Sequence, residues 1–262
     1  MTGKINDKKH MLVVKDNNLI QKAKSNLTST QKKLISYVIS LITPTDKEFQ
    51  RYDISVSDFC YLCGIDRNHF YTEFKDIIDD LDNKAFWIKT DTKIFKFRWF
   101  SEAEYIPKQG KIRVLLHSQV KPYLLELKKN FTMYELGNIL ELKSKYSMDL
   151  YEILKSYSYQ YVREFKIEEL KDILNASGYT VFKDFRKRVL DVAIDDINNK
   201  TDLYVTYDLI KGGRGAKVQA INFHIKTKQY VTLPYLDRIA EIKDKRTQIK
   251  GQMNIFDYDQ KS

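Results

Sequence analysis

The chain has 262 residues, 43% of them hydrophobic and 13% aromatic, which suits one large or two ordinary packed domains and excludes a disordered chain. A net charge of +10 and a pI near 9.2 favour an anionic partner, nucleic acid before an acidic membrane surface. No run approaches the ~18 apolar residues of a membrane span, the polar segment Met1 to His10 is no signal region, and two cysteines make no disulfide framework, so a cytoplasmic, membrane-free protein is expected.

Residues 1–10 read as a flexible leader. Thr28 and Gln31 form a capping-box pattern ahead of Leu34, Ile35, Val38, Ile39 and Ile42, which predicts a helix ending before Pro44. A short extended piece, Tyr52 to Val56, leads into a helix from Ser57 to Cys63 that stops at Gly64. Within it Cys60 and Cys63 read as two small core residues, because there is no second cysteine pair and His69 is isolated. A longer helix follows to Asn83, carrying Phe70, Phe74, Ile77, Ile78 and Leu81. Strand-like runs come next at Phe86 to Thr90, Ile94 to Phe100 and Ile112 to His117, with Lys108 to Gly110 as a turn.

The same order then recurs. Helices are expected over Leu136 to Leu142 and Tyr146 to Tyr157, a short strand at Phe165 to Ile167, a short helix from Glu168 to Leu174 and a turn at Asn175 to Gly178. A long helix from Val181 to Asn198 puts Phe185, Val189, Val192, Ala193 and Ile197 on one face. Two alternating strands, Asp202 to Leu209 and Val218 to Lys226, flank a glycine-rich link. Asp79 to Lys84 and Asp195 to Lys200 close the two long helices in nearly the same residues, an offset of 116 (200 minus 84). The expected fold is therefore α+β: two tandem winged-helix domains related by duplication, each a helix-turn-helix plus a β-hairpin wing. The expected segments are 1–10 leader, 11–127 domain 1, 128–228 domain 2 and 229–262 mobile tail. Between the domains, around Pro122, a helix from Gln119 to Lys129 is expected.

A recognition helix offers its first turns to base edges, and flanking cations hold phosphates. The second long helix suits this task, with Thr180 before it and Lys183, Arg186, Lys187 and Arg188 in its first turns. Arg186 is the expected base reader, since its fork matches guanine, with a phosphate clamp as its other reading; Arg188 faces either DNA or the protein. The matching first-domain helix carries Asp76, Asp79, Asp80 and Asp82, which phosphate would repel. In the second wing Lys211, Arg214 and Lys217 stand among Gly212, Gly213 and Gly215, and no acidic residue occurs from Leu209 to Leu236. Such a tip suits a narrow minor groove.

Enzyme chemistry is not expected. His10, His69, His117 and His224 form no His-hydrophobic-His metal site and no HxxR, and no GxxxxGK[ST] phosphate loop occurs. The aspartate pairs read as solvated helix faces, so neither metal nor cofactor is expected.

These residues resemble the iteron-binding plasmid replication initiators, the Rep family with two winged-helix domains. The resemblance runs over about residues 11 to 227. It is carried by Met11 to Ile20, Leu27 to Leu34, Phe182 to Leu190 and Ala193 to Asp202. It implies a protein that binds repeated double-stranded DNA at a plasmid origin, helps melt the adjacent DNA and recruits the host initiator and helicase. The second domain would make the main major-groove contacts. The first would support dimerisation and auxiliary contacts, monomers initiating and dimers repressing. In the tail, Gln252, Met253, Ile255 and Phe256 resemble the short peptide by which bacterial proteins bind the polymerase sliding clamp. A winged-helix transcriptional regulator, or a dimeric scaffold with a basic face toward RNA or membrane, would share many of these features.

Overall fold

The structure is a computed structural model that describes residues 5–43, 46–89, 94–213 and 217–228, with backbone alone for 67–73, 82 and 89. Strand β1 (Leu12–Asp16) runs into helix α1 (Asn17–Lys22), which starts where the Asp16 carboxylate accepts the Asn18 amide at 2.7 Å. After β2 (Ala23–Lys24), helix α2 (Ser29–Ser40) opens on the expected capping box, the Thr28 hydroxyl accepting from the Gln31 backbone amide and the Gln31 side-chain oxygen accepting from the Thr28 backbone amide. Strand β3 (Arg51–Ser55) precedes α3 (Val56–Cys63) and α4 (Arg67–Asn83). Gly64 stops α3 at φ +65°, a left-handed turn that a side chain would strain. Strands β4 (Phe86–Lys89), β5 (Ile94–Phe97), β6 (Phe100–Ile106) and β7 (Lys111–Leu116) follow.

Helix α5 (Lys121–Leu124) is all that forms, after a 3-10 turn at Ser118–Val120, of the helix expected over Gln119 to Lys129. Pro122 lies in its first turn, Leu125 is already extended, and Glu126 and Asn130 take positive φ, so the chain cannot continue as a helix. Strand β8 (Phe131–Glu135) and helices α6 (Leu136–Leu140) and α7 (Lys145–Ser156) come next, then β9 (Val162–Lys166) and α8 (Ile167–Ile173). The long second helix is built in three parts: α9 (Phe182–Phe185), a π turn (Arg186–Leu190) and α10 (Asp191–Lys200). Strands β10 (Leu203–Lys211) and β11 (Val218–Thr227) complete the described chain. The described residues up to Thr227 gather into one compact unit.

The duplication is visible in hydrogen bonds. Helices α2 and α7 both have 12 residues and are offset by the same 116 positions. Thr28 and Ser144 cap them through the amides of Gln31 and Ser147, and at the far ends the Ser40 and Ser156 hydroxyls donate to the carbonyls of Tyr37 and Ile153. Each copy has an antiparallel three-stranded wing in the same spatial order, β3–β7–β6 and β9–β11–β10. The first copy also carries a separate sheet, β2–β4–β5. The expected run Ile94 to Phe100 is thus two strands in two sheets, broken at Arg98-Trp99.

The opening strands of the copies pair with each other. In this β1–β8 ribbon Val14 faces Met133, with Leu12 opposite Glu135 and Asp16 opposite Phe131. Behind it lies a buried ionic network: Lys15 Nζ contacts Glu152 at 2.6 Å, Lys32 Nζ contacts Asp149 at 2.5 Å, and the Tyr134 hydroxyl donates to Glu152. The 3-10 turn Asp7–His10 lies where a flexible leader is expected. There Lys8 is tied to Asp58 at 2.6 Å and to the Tyr37 hydroxyl at 3.0 Å. Cys60 is fully buried, and burial pushes the Cys63 thiol up to about 12, which leaves it protonated and unreactive.

Candidate nucleic-acid interface

The second long helix is anchored from beneath. Phe185, Val189, Leu190, Ala193 and Ile197 are at most 1% exposed, and the Phe185 ring meets Tyr179 and Phe182 at centroid distances of 6.4 Å. Val192, expected on that face, is 50% exposed. The π turn is the reason: its extra residue per turn rotates the apolar stripe by one position, so Ala193 and Ile194 continue it and Val192 turns out.

The turn coincides with the basic run. The Asp191 amide donates to the Arg186 carbonyl five residues back, rather than four. Thr180, Lys183, Arg186, Lys187 and Arg188 are all exposed, so Arg188 does not turn into the protein. Lys183 and Lys187, four residues apart, share one side of the helix. Lys183, Lys187 and Arg188 meet no carboxylate among the described residues. Arg186 does: its Nε donates to the Tyr207 hydroxyl at 2.9 Å and lies 3.5 Å from Asp191, while Tyr207 donates to Asp191 at 2.6 Å. The Tyr207 hydrogen bond, and then the Asp191 carboxylate, hold the Arg186 guanidinium above its ordinary value, so it stays charged.

Tyr207 belongs to β10, so this contact joins helix to wing. The wing pairs Leu203 with Thr227 through to Ile210 with Ala220, then bulges at Lys211, which faces Val218. Lys211 and Lys217 are exposed on either side of the tip, and Gly213 takes φ +154°. Arg214 and Gly215 lie outside the described residues, as do Gln252, Met253, Ile255 and Phe256. The structure therefore brings the helix residues and the wing base into one element pair. Sequence reasoning missed Asp191 and Tyr207, because a partner five residues away is on no shared face of a regular helix.

The later turns of α4 are acidic, as those of α10 are at Asp195 and Asp196. Asp76, Asp79 and Asp80 are exposed beside Lys75, and Asp80 is tied to Lys84 at 2.6 Å. The Lys84 and Gln31 hydrogen bonds hold the Asp80 carboxyl below its ordinary range, so it stays charged near neutrality. Among the described residues no group of three His, Cys, Asp or Glu could hold a metal ion, and no helix is long and apolar enough to cross a membrane.

Known proteins share this layout. The family model described as "Initiator Replication protein, WH1" matches residues 12–155, and that described as "Initiator Rep protein, WH2" matches 166–225. A curated "Replication initiation protein" of Escherichia coli is 25% identical over 252 residues, covering 92% of this chain and 76% of its own. The "PI protein" of Escherichia coli is 28% identical over 138 residues, 45% of each chain. Among solved structures, that of the Pi initiator protein in complex with iteron DNA superimposes with a TM-score of 0.71 at 20% identity, over 84% of this chain and 99% of the other. That likeness shows the fold, two winged-helix domains in tandem. The chain belongs to the initiator replication protein family, with a WH1 and a WH2 domain.

Proposed function

We propose that this protein is a plasmid replication initiator that binds repeated double-stranded DNA at an origin, chiefly through the second winged helix. The observation that carries this is a cluster of cations: the second long helix exposes Lys183, Arg186, Lys187 and Arg188 and the adjoining wing exposes Lys211 and Lys217, whereas the sequence of the first copy has one cation, Arg67, over the corresponding residues 67–72. Phosphate is attracted to that cationic face. Family membership supports the reading, as does the structural relative solved in complex with iteron DNA.

Within this proposal residues 128–228 make the main DNA contact, and 11–127 serve dimerisation and auxiliary contact. Origin opening, recruitment of host initiator and helicase, repression by the dimer, a sliding-clamp contact through Gln252 to Phe256 in the 229–262 tail and a cytoplasmic site of action belong to it. The role is binding rather than catalysis. The test is footprinting of the purified chain on its neighbouring DNA, together with autonomous replication of that DNA. Protection of direct repeats that is lost in Arg186→Ala and Arg214→Ala supports the reading. Unchanged protection in both variants overturns the site, and a promoter effect without replication favours a transcriptional regulator.

A further inference from the structure

Both partners of Arg186 among the described residues are taken at Nε. That nitrogen donates to Tyr207 Oη at 2.9 Å and faces Asp191 Oδ2 at 3.5 Å, and the Tyr207 hydroxyl closes the triangle by donating to Asp191 Oδ1 at 2.6 Å. The guanidinium carbon sits 5.8 Å from the Tyr207 ring centre. The side chain is still 48% exposed, so it is tethered without being covered.

The π turn makes this possible. In a regular α-helix residues five apart are separated by about 140° around the axis and cannot meet. Hydrogen bonding from Asp191 to the carbonyl of Arg186 brings the two nearly into line. The unusual turn thus sits between the arginine and the carboxylate that holds it.

An arginine gripped at Nε keeps its two terminal nitrogens for an outside acceptor pair. That end-on fork is the geometry that matches O6 and N7 of guanine, and fixing it in advance removes the freedom to settle on a nearby phosphate. Tyr207 lies on the wing, so the arginine's aim is tied to the wing's position as well. We infer that Asp191 and Tyr207 are specificity-determining positioning residues, which aim Arg186 at one guanine of the bound duplex. This rests on the duplex-binding function proposed above. The contrary role for Asp191 is a competing anion that merely occupies Arg186 until phosphate displaces it.

The experiment uses the full chain and duplexes it enriches from a randomised pool, with one enriched duplex then substituted one base pair at a time. Affinities are measured for the wild type, Arg186→Lys, Asp191→Asn and Tyr207→Phe, with thermal melting to establish that each variant is folded. All three variants should lose about tenfold discrimination at the same single base pair, a guanine, and keep wild-type affinity for a scrambled duplex within about twofold. Tyr207→Phe keeps the ring, so its loss of discrimination would come from the hydroxyl alone. Equal gains on every duplex for Asp191→Asn would establish the competing anion and overturn the inference. Unchanged discrimination, or loss at a base pair other than that of Arg186, would also overturn it. A wild-type chain that enriches no duplex would overturn the underlying DNA-binding function, an outcome visible before any variant is made.

Discussion

Asp80 and Asp196 occupy the same place in the two copies, each ion-paired to the lysine four residues on and each reaching the start of the preceding 12-residue helix. Asp80 accepts from the Gln31 side chain at 2.9 Å, and Asp196 accepts from the Lys143 amide at 2.9 Å. The near-repeat of sequence at the ends of the long helices is therefore a repeated brace between helices.

Asp196 predicts a pH dependence. Burial by itself would raise its carboxyl, but the Lys200 ammonium, the Lys143 amide and the Ser147 hydroxyl outweigh burial and hold it below the ordinary carboxylate range. A depressed folded value gives stability that is present above the unfolded value of about 3.9 and lost as pH falls through the folded one. Asp196→Asn should cost about 2 kcal/mol at pH 7, and the difference from wild type should close progressively below about pH 4. Urea unfolding of both chains from pH 7 to pH 3 checks this; a difference constant with pH would refute it.

The buried network between the copies predicts an asymmetry between single and double substitutions. Lys15 and Glu152 have side chains only 8% and 17% exposed. Glu152→Ala strands the Lys15 charge and the Tyr134 hydroxyl and should cost about 3 kcal/mol. Lys15→Met combined with Glu152→Leu should recover most of that loss, since no buried charge is then left unpaired. Denaturant midpoints of the two variants decide the matter.

Gly64 predicts a purely conformational penalty. A Cβ there would meet no atom within 4 Å, so Gly64→Ala creates no clash. Its φ of +65° nonetheless should cost about 1 kcal/mol, read as a lower thermal midpoint with DNA binding intact.

The charge contrast predicts salt behaviour. Lys187→Gln should lower the slope of log affinity against log salt by about 0.9, one phosphate contact, whereas Lys75→Gln on α4 should leave it unchanged. Titrations between 50 and 200 mM salt provide the measurement; equal effects of both substitutions would contradict the proposed division of labour between copies.

Where a local pattern controls the outcome, the fold was legible in the sequence. Thr28 with Gln31 marked the start of α2, Gly64 marked the end of α3, and the alternation flanking Lys211 to Lys217 marked the second wing. Strands β1, β8 and β6 were not legible. The first two are defined by a partner more than a hundred residues away, and Ser101 to Tyr105 of β6 are exposed and mostly polar, so no apolar alternation marks them. The basic residues of the candidate site were legible as composition on a helix face. Their fine arrangement was not, because the π turn obeys neither the helical nor the strand period. The same shift explains both the outward turn of Val192 and the meeting of Arg186 with Asp191.

The β1–β8 ribbon also constrains how the chain is made. Val14 leaves the ribosome 119 residues before its partner Met133. At about 5 to 20 residues per second, the first strand waits roughly 6 to 24 seconds for the second. During that interval β1 is an open edge with Val13 and Val14 unpaired, and the ribbon cannot close before β8 has begun to emerge. A nascent chain halted before residue 131 should therefore lack protease protection at β1 and acquire it once residue 135 has cleared the exit tunnel, so the first strand to be made is among the later ones to be fixed.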